Sequence, residues 1–361
     1  MDNIEELLQR VRATCVTYGV MLLMLGFTFA GFHLSQNWSQ IHNDALLYLG
    51  GNVPLATLDG FGHWRLLAAK FQIGSWRSLA FFLPFFWVVA TAFERRYGSL
   101  ALAVAFVLGS LVTSAATLYL MNNAGRISIG AGGPALALMT CMLVTSALDG
   151  RLKEELGHWR SIAAIPYLLV TVDAMSRGTA DLYSLGSGAV FGLVIAATLY
   201  RPGGRPAAAV RLIGLAVAGC AVAAILVMLT PKPPFYLSEV QAFRAATTRF
   251  FEDAGNLNSR FAALNESAKK GEISGQQLGA KVEQDLVPAW RELEGWWRQQ
   301  PLNPAVPEGQ NIAHVTTYVS EQRQFVEASA RAWKTGDAQA VEQAVAHLTK
   351  AEAARAAMVK R

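Results

Sequence analysis

Among the hydroxyls in or beside the long apolar runs of the first 230 residues are Ser114, Ser128, Ser184 and Ser187. Serine hydrolysis needs such an oxygen, a base within hydrogen-bond reach and donors for the oxyanion. The available imidazoles of this half, His33, His42, His63 and His158, fall in loops or at the ends of apolar runs, and no histidine occurs between His158 and His314. His314 and His347 stand alone on helical faces, a placement typical of surface or satisfied histidines. Cys15, Cys141 and Cys220 lie inside apolar runs and read as small buried hydrophobes, neither disulfides nor metal ligands. The tail after Pro234 shows no metal cluster, glycine-rich phosphate loop or nucleophile elbow, and no cofactor is called for.

Other residues suit structural work. Gly130, Gly132 and Gly133 on one helix and Gly188 and Gly192 on another remove side chains where two helices approach closely. Trp64 beside Arg65 pairs an amphipathic ring with a cation, as at a membrane interface. Glu94, next to Arg95 and Arg96 at the end of an apolar run, reads as a paired or helix-capping carboxylate.

The elements that position these residues are membrane spans. The chain has 361 residues, 53% hydrophobic and 16% charged, outside the usual soluble range. Apolar runs long enough to cross hydrocarbon fall at about 13–33, 78–93, 99–120, 131–148, 161–175, 182–200 and 212–230. The second and fifth are short, and the fifth holds Pro166 and Asp173. The acidic start and the length of the first run argue for a retained helix, not a cleaved signal. Arg10, Arg12, Arg95, Arg96, Arg151, Lys153, Arg160, Arg201, Arg205 and Arg211 share one side. The positive-inside rule puts that side and the N-terminus in the cytoplasm and, with seven spans, the C-terminal part outside it. In a bacterial inner membrane that is the periplasm. The same loop placement accounts for much of the net charge of +5, which therefore does not point to nucleic acid.

Pro231-Lys232-Pro233-Pro234 forms a stiff exit and divides a membrane domain, 1–230, from a soluble one, 231–361. In the latter, apolar residues at helical spacing predict helices at about 236–254, 257–269, 274–299, 310–335 and 337–359, punctuated by Gly271, Gly336 and Pro301 to Pro307. The fold class is all-α: a polytopic transmembrane bundle followed by a soluble helical bundle.

Four segments complete the reading. They are Gly60-Phe61-Gly62-His63-Trp64-Arg65-Leu66-Leu67, Phe93-Glu94-Arg95-Arg96-Tyr97-Gly98, Ile129-Gly130-Ala131-Gly132-Gly133-Pro134 and Gly186-Ser187-Gly188-Ala189-Val190-Phe191-Gly192. In this order, over about residues 10–205, they resemble the rhomboid intramembrane protease family. The resemblance implies a six-helix core, here with one further C-terminal span. It also assigns the family's nucleophilic serine to Gly132, its histidine base to Ser184, and its oxyanion-binding histidine and asparagine to Ser78 and Phe82. None of the four carries the family's group, so the resemblance implies a pseudoprotease that binds or regulates transmembrane client proteins. Two alternatives stay open: an active protease with a displaced dyad using Ser184 or Ser187, and a sensor or scaffold acting through the tail on an extracytoplasmic protein partner.

Overall fold

The computed structural model describes residues 14–121, 127–157, 171, 181–200 and 209–359. It divides into two compact units, Met1–Pro233 and Pro234–Arg361. Both are helical, and among the described residues the only β pairing is two isolated bridges, Gln40 with Ser75 and Asn52 with Ser128.

In the first unit α1 (Cys15–Ser35), α2 (Trp76–Tyr97), α3 (Ser99–Leu120), α5 (Leu182–Leu199) and α6 (Ala209–Leu229) are long and apolar enough to cross a membrane; α4 (Gly132–Leu148) has 17 residues. At 1.5 Å per residue α4 is roughly 26 Å long, slightly short of the ~30 Å hydrocarbon layer. Apart from Thr171, the fifth apolar run, 161–175, lies outside the described residues, as do Arg10, Arg12, Arg160, Arg201 and Arg205 among the arginines used for orientation.

The second span is not short. It runs for 22 residues because Ser75 caps its start by accepting the Ser78 N–H, and it stops where Gly98 takes φ +91°. Hydropathy ends where Arg77 and Glu94 begin, whereas helical hydrogen bonding continues through them. Met24, Phe86, Phe106, Leu138 and Ile195, all buried, join five of these helices in one core. Cys141 is buried there, but Cys15 and Cys220 are exposed. A span facing lipid has no need to cover every apolar side chain with protein.

In the second unit α7 (Leu237–Lys269) is a single helix of 33 residues, where two were expected. Gly255 does not stop it, because Ala254 and Leu257 both remain buried and Asn258 is tied across to the Tyr318 hydroxyl and Gln322. The expected 274–299 helix is interrupted: α8 (Gly275–Lys281) passes through a π turn, Val282–Leu286, into α9 (Val287–Gln299). Pro288 explains the widening, since its ring lacks an N–H and crowds the carbonyl four residues back. Helices α10 (Asn311–Thr335) and α11 (Ala338–Val359) close the bundle, with Gly336 at φ +68° between them. Phe250, Trp290 and Trp297 form its buried centre.

A small stability gain is expected at Gly255. A methyl group there would meet nothing within 4 Å, so Gly255→Ala should raise the stability of this unit by about 0.5–1 kcal/mol through helix propensity. Chemical denaturation followed by tryptophan fluorescence checks this, and a loss of stability would mean that the glycine serves some bend in α7.

Candidate active site

The site is built on two helix starts and one loop. Asp181 caps α5 by accepting the Ser184 N–H at 2.9 Å. The same carboxylate accepts the Thr117 hydroxyl from α3 at 3.3 Å and the Ser128 hydroxyl from the segment leading into α4. Ser128 in turn exchanges two backbone hydrogen bonds with Asn52, at 3.0 and 2.8 Å, and the Asn52 amide donates to the Ser114 carbonyl. One aspartate therefore fastens the head of α5 to α3 and, through Ser128, to the first loop.

Glycine lets α4 and α5 approach until backbone meets backbone. A Cβ added at Gly188 would lie 2.2 Å from the Gly133 carbonyl oxygen, and one at Gly192 would lie 2.5 Å from that of Ala137. A Cβ at Gly133 would lie 2.5 Å from Ser184 Oγ, so the first turn of α4 sits directly against this hydroxyl. Gly132 opens α4 and is half-buried. Gly130, at φ +94°, turns the chain into the helix and donates its N–H to the Ala69 carbonyl at 2.9 Å.

That last bond places a residue the sequence did not single out. Lys70, in the short helical turn Ala69–Phe71 of the first loop, is fully buried, and its Nζ donates to Ser184 Oγ at 2.9 Å. Burial pulls the Lys70 amine below its ordinary range, against the opposing charge of Asp181. In the sequence Lys70 is one of the cations between the first two apolar runs. Its signal was local, a lone cation within Leu66-Leu67-Ala68-Ala69-Lys70-Phe71.

The remaining positions serve the frame. Ser78 lies in the capped first turn of α2, with the Ser75 hydroxyl donating to its oxygen, and Phe82 is buried against Phe85 and Phe86. Arg65 donates to the carbonyls of Leu47 and Gly51 and lies over the Trp64 ring, which is itself about half exposed. His63 is exposed and bonded to the Thr57 carbonyl. Ser114 donates to the Leu66 carbonyl and Ser187 to that of Tyr183. Glu94 is buried and accepts from Val16, Thr17 and Ser99, capping α1, while Arg95 is exposed and Arg96 pairs with Asp149. Among the described residues, no three His, Cys, Asp or Glu side chains form a group that could hold a metal ion.

Residues 61–202 match the Rhomboid domain family. This is a rhomboid-family integral membrane protein. The matched stretch contains Lys70, Gly132 and Ser184, so the buried lysine and its hydroxyl partner lie within the rhomboid domain itself. No curated protein matches the chain.

Proposed function

We propose that the protein is a rhomboid pseudoprotease: its membrane domain receives transmembrane segments of client proteins and lacks the serine–histidine pair with which the family cuts them. What carries this reading is the motif resemblance, which assigns the family's nucleophile position to Gly132 and its base position to Ser184, neither of which has the family's group. Among the described residues, the Ser184 hydroxyl is bonded to Lys70, its N–H to Asp181 and its carbonyl to the Ser187 hydroxyl, and none of these partners is an imidazole. Without a base matched to a nucleophile at the right place, a serine protease retains only binding and oxyanion contacts. The loop arginines support a cytoplasmic N-terminus, with the helical tail outside the cytoplasm and open to a protein partner there.

The full-length chain, carrying a photo-crosslinking amino acid at Val190 or Leu193 on the exposed flank of α5, would be co-expressed with a single-span reporter. The expected product is an adduct with the intact reporter, stronger than from Val217 on α6. Equal or absent capture at Val190 and Leu193 would overturn client binding, and recovery of a reporter cut within its span would overturn the loss of proteolysis.

A further inference from the structure

The described contacts place one group with hydrolytic geometry at the position where the family's own chemistry is gone. Ser184 Oγ is held at 2.9 Å by the Lys70 nitrogen, with 3% of Ser184 and none of Lys70 exposed. We propose that Lys70 and Ser184 form a base and nucleophile that take up acyl groups from small esters.

Three features carry this proposal. First, Lys70 Nζ donates to Ser184 Oγ at 2.9 Å, a separation across which the proton can pass the other way once the amine is neutral. Second, Lys70 lies in the first loop, outside the spans, where burial lowers its pKa against the charge of Asp181 and so brings the neutral form, the only form able to accept a proton, within easier reach. Third, Ser184 Oγ faces the first turn of α4, where the N–H groups of Gly132 and Gly133 have no partner within the helix. In the proposed reaction these amides are the donors for negative charge on the reacting carbonyl oxygen. Pro134 contributes no donor, and the Ala135 N–H is already used on the Ala131 carbonyl.

In the reaction, Ser184 Oγ attacks the ester carbonyl carbon while its proton passes to Lys70 Nζ, giving an ammonium. The bond to the alcohol then breaks, the ammonium returns the proton to the departing oxygen, and the acyl group remains on Ser184. Water hydrolyses that ester, with Lys70 taking its proton and handing it back to Ser184 as the acid leaves. The enclosure of the pair sets the substrate class, since a small ester can reach it through local opening whereas a client helix backbone cannot. The inference goes beyond client binding and does not rest on it.

The test treats the full-length protein in detergent with a short alkyl fluorophosphonate, which phosphonylates activated serines with release of fluoride, and maps the adduct by mass spectrometry. Ser184 should be the modified residue. Lys70→Met should slow labelling by about 100-fold or more, and Lys70→Arg should do the same, because a guanidinium stays protonated. Should either variant fail to fold, the unaltered protein still decides. Its labelling should rise with pH and reach its half-point below ~10.4, the ordinary lysine value, because only the neutral amine acts as base. Asp181, the charge that acts on Lys70, shifts that half-point upward without reversing its direction. No adduct on Ser184, an adduct whose rate ignores Lys70, or a flat pH profile would overturn the proposal. None of these outcomes touches capture at Val190 and Leu193, so the two readings fail separately.

Discussion

Gly188→Ala is expected to abolish the native membrane domain or lower its stability by at least ~3 kcal/mol, beyond the usual cost of overpacking. The added methyl would stand 2.2 Å from the Gly133 carbonyl oxygen, 2.8 Å from its carbon and 2.9 Å from its Cα. All three atoms are backbone, so no rotamer change relieves the clash, and α5 must move away from α4. That movement would also draw Ser184 away from the first turn of α4. Gly186→Ala is the matched control, two residues away on the same helix with nothing within 4 Å of the added atom. It should be neutral or stabilising by up to about 1 kcal/mol. Thermal unfolding in detergent, read by size-exclusion chromatography, compares the two variants. Equal apparent Tm values would mean that α4 and α5 do not pack in contact through this face.

The second large effect is expected at Glu94. Its carboxylate lies buried at the end of α2 and accepts the N–H groups of Val16 and Thr17 at 3.1 and 2.9 Å, the Thr17 hydroxyl at 2.6 Å and the Ser99 hydroxyl at 2.6 Å. One residue thus caps the first turn of α1, where the helix dipole favours negative charge, and joins α1, α2 and the start of α3. Glu94→Gln keeps the shape but turns an NH2 group toward donors, leaving at least one buried N–H or hydroxyl without an acceptor. The expected loss is about 2–4 kcal/mol, since charge-assisted bonds are given up and an unpaired buried donor is costly. Glu94→Ala should cost more. The same unfolding assay decides, with Arg95→Gln as the control, because Arg95 is exposed. A Glu94→Gln protein as stable as the parent would show that water or another acceptor replaces the carboxylate.

Much of this frame was legible in the residues. Hydropathy located the centres of α1, α3, α5 and α6 because a lipid-facing helix must be apolar along its length, whatever it packs against. The close contact of α4 with α5 could be anticipated from Gly133, Gly188 and Gly192, since absent side chains leave a mark in sequence. Ends were less legible. Arg77 and Glu94 look like the limits of a span, yet α2 continues through both, because termination depends on capping by Ser75 and the positive φ of Gly98. In the tail, Gly255 reads as a break, and only the bonds of Asn258 to Tyr318 and Gln322 show why α7 passes through it.

The sequence by itself determined that the chain is a multi-span helical membrane protein with a polar helical tail, and its motifs carry a resemblance to the rhomboid family that assigns Gly132 and Ser184 to the family's serine and histidine positions. The spans and the tail follow from residue type and local period; the two positions follow only from the resemblance. What only the tertiary structure decided is that Ser184 has a basic partner. Lys70 precedes it by 114 positions, and in the sequence it is one more loop cation. The two meet because Gly130 pins the turn that carries Lys70 and Asp181 holds the head of α5 in place. Contacts made through such intermediaries depend on how whole helices pack, and no local pattern of residues records them.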